Sequence, residues 1–421
     1  MPDAQPTAGT RTVQRLLTLL EVSGSLTRAE LAKLAGLPPT TVAGAVAELL
    51  REGLLTESES APRPGQAGRP PRDVALVAPP RVIALVSARH RALRISLASV
   101  GGDLLSDRSE VVPTGDADPG AVLEPAPALL RACLRDSGVS QERLAAVVLS
   151  VPHPRPGSGP SGPLGKRMGV PMLVENDANL GALGEAVFGV GRGLDSFVYV
   201  MLGKGIGAGL VLGGRLHRGA SGFAGELAHV QVREQEDGPL CFCGGRGCLA
   251  RVTGPSVRDF VERAYAQRLS VSEVFSLAAD RDPGVRRLFA DLGRTVGRPL
   301  ADLCTMLDPA AVVLDGSLGA AGEPVMAGIR EAIDRHAAPA VADSVRVLAG
   351  ELGDRAELLG AVALVRQRAL DAPWRSGGPD AQLGGEAAGL APPIAPGDAR
   401  PRPVMLGAEI DAAALHEPLR P

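Results

Sequence analysis

The sequence predicts an α/β chain headed by a winged helix-turn-helix, and three observations lead there. Residues 1–73 carry three short helical stripes followed by two extended segments. Residues 80–370 alternate strand-like and helix-like patterns, as an α/β domain does. Between them in kind stands a third feature: Cys241, Cys243 and Cys248 crowd into eight residues, with His229 twelve residues upstream.

The 421 residues suit two or three domains. Aromatic residues make up only 2% against 45% apolar, so the core must be built from Leu, Val, Ala and Ile. A net charge of −3 excludes a generally basic surface, and any nucleic-acid contact must come from a local patch. No signal peptide and no apolar run of membrane-spanning length is read, so no membrane partner is expected. Cys133 and Cys304 have no partner suggested by spacing, and the cysteine pattern as a whole fits a reducing compartment with a metal rather than a disulfide framework, which predicts a cytoplasmic protein.

In the first domain Val13, Leu16, Leu17 and Leu20 form one apolar stripe, ended by Ser23-Gly24-Ser25. Thr27 and Glu30 read as a capping box opening a second helix with Leu31, Leu34 and Ala35 inward. Gly36-Leu37-Pro38-Pro39 turns into a third helix with Val42, Val46, Leu49 and Leu50 buried. Leu54–Thr56 and Val74–Val77 then make a two-stranded ribbon around a Pro/Gly/Arg wing. A third helix of this kind meets base edges with its N-terminal residues, here Thr40, Thr41, Ala43 and Gly44. These are short and uncharged, so phosphate contacts fall to Arg28, Arg51 and the wing arginines Arg63, Arg69 and Arg72. A three-helix protein-interaction module fits the same pattern.

Farther along, Val82–Val86, Leu93–Leu97, Ala146–Val151 and Val170–Glu175 read as strands, with helical patterns at Ala121–Leu134 and Glu142–Leu144. Asn176-Asp177 stand at the carboxyl end of a strand, where α/β domains place their chemistry. The glycine-rich Gly203–Gly209 reads as a tight turn between Ser196–Met201 and Leu210–Leu212. Ser256–Ala266, Val285–Leu307 and Glu357–Leu370 read as helices and Ala311–Asp315 as a strand. From 371 to 421 the Pro/Gly/Ala-rich composition predicts a disordered tail.

His229, Cys241, Cys243 and Cys248 have the donor types of a closed, four-coordinate structural zinc site. Three buried thiols near a core histidine would be the plainer account.

Glu175–Glu185 (ENDANLGALGE), Leu202–His229 (LGKGIGAGLVLGGRLHRGASGFAGELAH) and CFCGGRGCL together resemble the ROK family, which groups repressors and sugar kinases. That resemblance implies a two-lobed actin-like, ribonuclease-H-like fold, with lobe one at about residues 80–190 plus the last helix and lobe two at about 191–354. It implies a sugar site at Asn176, Asp177, Glu226 and His229, with Asp177 as catalytic base if chemistry occurs, and zinc on His229, Cys241, Cys243 and Cys248. Asp177 is otherwise a ligand-binding or leftover carboxylate, and Glu226 a partner of the His229 ring.

The departures point away from catalysis. Kinases of the family carry D-x-G-G-T on the first hairpin, and Ser87-Ala88-Arg89-His90-Arg91 stands there instead, so ATP use is not expected. Lys204 replaces a usual threonine, the segment between Val151 and Val170 is short, and Ala250 stands where sugar-binding members carry glutamate. The expected function is a DNA-binding regulator, a repressor of carbohydrate-related genes acting as a homodimer or homotetramer on double-stranded operator DNA, with a sugar or sugar derivative as effector. The alternative is an ATP-dependent sugar kinase with a fused DNA-binding domain.

Overall fold

The computed structural model describes residues 8–51, 54–59, 72–77, 81–89, 92–111, 123–152, 167–202, 205–232, 238–241, 243–250, 273, 277 and 282–371. These belong to one compact unit, Met1–Glu386. The predicted helix Ser256–Ala266, the wing residues Arg63 and Arg69, Lys204 and the tail lie outside the described residues.

The N-terminal part comprises α1 (Ala8–Ser23), β1 (Ser25–Thr27), α2 (Arg28–Ala35), α3 (Pro39–Arg51), β2 (Leu55–Glu59) and β3 (Arg72–Leu76). Thr27 Oγ1 accepts from the Glu30 N–H while Glu30 Oε2 accepts from the Thr27 N–H, so both orphan amides at the start of α2 are satisfied. Leu16, Leu20, Leu31, Val42, Val46, Leu49, Leu55 and Val74 close the core. Two expectations are corrected. Leu34 is 51% exposed, because Ala32 rather than Leu34 shares the inward face of this short helix with Leu31 and Ala35. The ribbon is three-stranded in the order β1-β3-β2, because Ser25–Thr27, between the Ser23-Gly24-Ser25 stop and the Thr27 cap, pairs antiparallel with Asp73–Ala75.

The first lobe is a five-stranded sheet of order β6-β5-β4-β7-β8, made of β4 (Val82–Arg89), β5 (Ala92–Ser99), β6 (Leu104–Val111), β7 (Leu144–Val151) and β8 (Met172–Asn176). Helix α4 (Ala126–Asp136) covers one face through Leu129, Leu130, Cys133 and Leu134. Gln141–Arg143 is a single 3-10 turn, since the strand already begins at Leu144. The other face lies under α5 (Asp177–Phe188) and the last helix among the described residues.

The second lobe has the order β11-β10-β9-β12-β13, from β9 (Phe197–Leu202), β10 (Ile206–Leu212), β11 (Arg215–His217), β12 (Ala311–Leu314) and β13 (Arg346–Ala349). Most of the glycine-rich run expected as a turn is strand: β10 pairs Ile206–Val211 with Phe197–Leu202. Helices α6 (Pro283–Leu307) and α7 (Gly322–His336) cover one face, and the short α8 (Pro339–Ser344) follows. The opposite face takes Ala182 of α5 against Phe197, Tyr199, Val211 and Val313. The chain then returns to the first lobe as α9 (Ala356–Asp371). Cys133 and Cys304 are buried in the cores of different lobes, which leaves each as a packing residue. No helix among the described residues is long and apolar enough to cross a membrane.

Helices α5 and α9 meet backbone to backbone. A Cβ on Gly360 would collide with the Leu180 carbonyl oxygen, and one on Gly184 with that of Ala356. Neither helix can retreat, because each also carries sheet contacts on its other side. Gly360→Ala should therefore lose at least about 2 kcal/mol of stability by overpacking, measured by denaturant unfolding of the full chain. Gly205→Ala, where a Cβ meets nothing within 4 Å, should stay within about 0.5 kcal/mol of the parent.

Candidate ligand cleft, metal loop and nucleic-acid face

Strand β8 passes into α5 with no linker, at Asn176-Asp177. Asn176 is held at both ends of its amide: Oδ1 accepts from the Asn179 N–H at 2.9 Å and Nδ2 donates to the Pro152 carbonyl at 2.7 Å. It is the N-cap of α5. Asp177 is buried in the first turn, its Oδ1 accepting from the Ala178 N–H at 2.8 Å, where the helix dipole favours a carboxylate. Beside it Glu175 Oε1 accepts from Asn179 Nδ2, and Oε2 takes both Nε and Nη2 of Arg218, at 2.8 and 2.7 Å. Arg218 follows β11, so this pair joins the end of the first sheet to the second lobe.

Strand β10 brings the remaining predicted residues to the same place. A Cβ on Gly209 would lie 2.6 Å from the Ala178 carbonyl oxygen, so only glycine lets α5 lie on this strand. On its other side Gly225, at φ 90°, presses against the Ala208 carbonyl, where a side chain would clash, and its own carbonyl accepts from the Ala208 N–H. Asp177 and Glu226 thus flank one glycine strand. A 3-10 turn, Leu227–His229, then presents the imidazole. His229 Nε2 faces Glu226 Oε2 at 3.9 Å, too long for a hydrogen bond, and Nδ1 faces Cys241 Sγ at 3.7 Å.

The donor atoms of His229, Cys241, Cys243 and Cys248 all lie within 4.8 Å of one another. Cys243 Sγ and Cys248 Sγ are 3.7 Å apart. A tetrahedron with Zn–S bonds of about 2.3 Å has sulfur–sulfur edges of about 3.8 Å, so the donor set fits zinc in number, type and spacing. Backbone bonds build the loop: the Cys241 N–H donates to Gly245, the Val232 N–H to Gly247 and the Leu249 N–H to Val230. The Gly245 N–H holds the exposed Cys243 thiol below its ordinary value, whereas burial pushes Cys248 up to about 11. A metal bound here at neutral pH must displace the Cys248 proton.

On the N-terminal domain, Thr40 and Thr41 are exposed in the first turn of α3 and Arg51 is exposed at its far end. Arg28 is engaged at 3.1 Å with Glu57, which also takes Arg72 at 3.1 Å. One acid therefore sets two arginines beside the ribbon. The domain is fastened to the body by Glu21 of α1: its Oε1 and Oε2 accept from Arg81 Nε and Nη2 at 2.7 Å each, and Oε1 also from the Arg81 N–H at 3.1 Å. Helix α1 rests on α9 as well.

The first hairpin of the body is a regular ladder. β4 and β5 pair from Val82↔Ser99 out to Arg89↔Ala92. Ser87 is buried and donates to Glu357 Oε1 at 2.6 Å, a carboxylate delivered by α9. Sequence reasoning missed this bond and a second acidic feature on the facing lobe. Asp315, after β12, accepts from the Ser317 N–H at 3.0 Å and from Ser317 Oγ at 2.7 Å. Burial holds its carboxyl above the ordinary range against the hydrogen bonds from Ser317 and Tyr199, and burial likewise raises Tyr199 well above its own. An Asp after an apolar strand carried no signal, because the partner that buries it, Tyr199, lies on a strand distant in the sequence while Ser317 reads only as a turn residue.

Comparison with known proteins bears on the whole chain. A winged helix-turn-helix DNA-binding profile matches residues 10–56. A protein of Caldicellulosiruptor sp. (strain Rt8B.4), provisionally named a xylose repressor, is 27% identical over 370 residues, 81% of this chain and 92% of its own. A glucokinase of Thermotoga maritima is 34% identical over 221 residues, 49% of this chain and 69% of its own. A crystal structure described as a ROK family transcriptional regulator, homolog of E. coli Mlc, shares the fold with a TM-score of 0.69 at 23% identity, over 86% of this chain and 97% of that one. The ROK family profile itself matches residues 150–368, more than half of the sequence, and the chain belongs to the ROK family.

Proposed function

We propose that this chain is a DNA-binding transcriptional regulator, a repressor of carbohydrate-related genes, whose kinase-like body senses a sugar or sugar derivative without phosphorylating it. The observation that carries the reading is the first hairpin: the ladder is closed to Arg89↔Ala92, and Ser87 is tied to Glu357 where a kinase of this family carries the acid of its phosphate loop. The relative named a xylose repressor, which matches over most of both chains, supports the same direction.

On this reading Asp177, Glu226 and His229 contact the effector's hydroxyls, and Asn176 holds the start of α5 beneath them. Zinc on His229 Nδ1 and the three cysteines would fix the loop and neutralise its thiolates. The ring's Nε2 is then left toward Glu226 and the cleft. Effector binding shifts the population of lobe arrangements, and α5, α9, α1 and the Glu21–Arg81 pair carry the shift to the winged helix. Thr40, Thr41, Arg51, Arg28 and Arg69 would contact the DNA, and pairs of chains would read two half-sites in the cytoplasm, either as a homodimer or as two such pairs in a homotetramer.

The sugar-kinase reading keeps one supporting observation, the buried Asp177 at a helix N-terminus beside the glycine strand, together with the glucokinase relative. Phosphotransfer from ATP to a hexose, abolished by Asp177→Asn, would establish it.

Selection of bound duplexes from random DNA at one fixed salt concentration, repeated with xylose, glucose and their phosphates, should enrich a palindrome that one of these sugars releases; fixed salt matters because backbone affinity moves steeply with it. No enriched sequence under any condition would sink the regulator reading. Cys243→Ser should lower bound zinc, read by elemental analysis, and abolish sugar-dependent release while operator binding persists; unchanged release counts against the metal's role. Arg81→Gln removes the bidentate grip on Glu21, and each such charge-assisted bond is worth about 1.5–3 kcal/mol. It should shrink the sugar-induced change in operator Kd and leave sugar affinity, measured without DNA, as in the parent.

A further inference from the structure

The backbone passes from the first sheet to the second through residues 189–196, and returns through residues 350–355. One side chain holds both passages. Glu185, in the last turn of α5, is fully buried. Its Oε2 accepts from the Val190 N–H at 3.0 Å on the outgoing passage and from the Glu351 N–H at 3.3 Å on the returning one. Its Oε1 accepts from the Leu352 N–H at 3.0 Å, and a Cβ on Gly350 would sit 2.6 Å from that same oxygen. A buried carboxylate at a helix C-terminus is disfavoured twice, by desolvation and by the negative end of the dipole. Three converging N–H groups offset that cost only while both passages keep their places.

We propose that Glu185 is a positioning residue that fastens the two interlobe passages to each other, so that the lobes turn about this carboxylate. The arrangement serves a sensor or a kinase equally, and its test contains neither DNA nor sugar, so the result is independent of the functional reading above. Amide hydrogen exchange is followed on the full chain. In the parent, the peptides holding Val190 and Leu352 are slow and open together. Glu185→Gln keeps the length but swaps one acceptor for a donor; exchange at the passages should quicken about tenfold, with β7 and β12 unchanged. Acceleration spread equally over β7 and β12 would mark Glu185 as ordinary core, and unchanged passages would also overturn the proposal. Gly350→Ala decides the matter if the glutamine variant does not fold. Its Cβ presses Oε1 most closely, with the Gly316 nitrogen and the Leu314 carbonyl at 3.1 Å, and it should quicken Leu352 and Val190 together; acceleration of Leu352 alone, or parental exchange at both, counts against the fastener.

Discussion

Helix α5 has no solvent face along its first three quarters, and the rest of the molecule is arranged to make that possible. Every residue from Asp177 to Glu185 is buried. One side packs into the first sheet beside α9, the other into the second sheet. A helix enclosed in this way cannot use bulky residues where backbones touch, so Gly184 of α5, Gly360 of α9 and Gly209 of β10 stand at the closest approaches. Its polar ends are then unavoidable internal groups. Asn176 and Asp177 satisfy the amino end, and Glu185 meets the amides beyond the carboxyl end. The candidate cleft and the interlobe passages are therefore the two ends of one object.

This also explains what the sequence disclosed. The stripe of α1, the Thr27/Glu30 box and the metal loop were legible because each signal is local: a period, a cap and a ligand spacing. Helix α5 was not read as a helix, since a segment buried all round has no amphipathic period to detect. β13 and α8 were missed because four and six residues carry little pattern, whereas α7 has a readable inward face at Val325, Ile329 and Ile333 and was passed over. Leu34 misled because eight residues give a helix only two turns in which to show its inward face. Glu185 lay within the quoted family motif, yet two of its three partners are 166 and 167 residues away, a separation that no local pattern encodes.

On the proposed reading, the first hairpin keeps the frame of the fold while phosphate binding is given up. A phosphate-binding turn needs backbone N–H groups free to point at an anion, which a regular ladder withdraws by pairing them. Here the pairing runs to the last residues of both strands, and Ser87 is occupied by a carboxylate from α9. That bond also ties the hairpin to the helix on which α1 rests. On the proposed reading, a contact that disfavours phosphate binding is part of the frame that communicates with the DNA-binding domain.

The size of the signal required is modest. Allosteric couplings amount to about 1–3 kcal/mol, a factor of roughly 5 to 150 in affinity, and one or two charge-assisted hydrogen bonds supply as much. Two contacts of that order sit where a shift would be felt: Arg218 on Glu175 at the mouth of the cleft, and Arg81 on Glu21 at the base of the winged helix. An effector whose hydroxyls compete for Glu175 or Asp177 need not remodel either core. On the proposed reading it would only have to favour one placement of Arg218, after which the glycine-sealed pair of α5 and α9 would move as a unit, because packed backbones leave little slack in which to absorb a displacement.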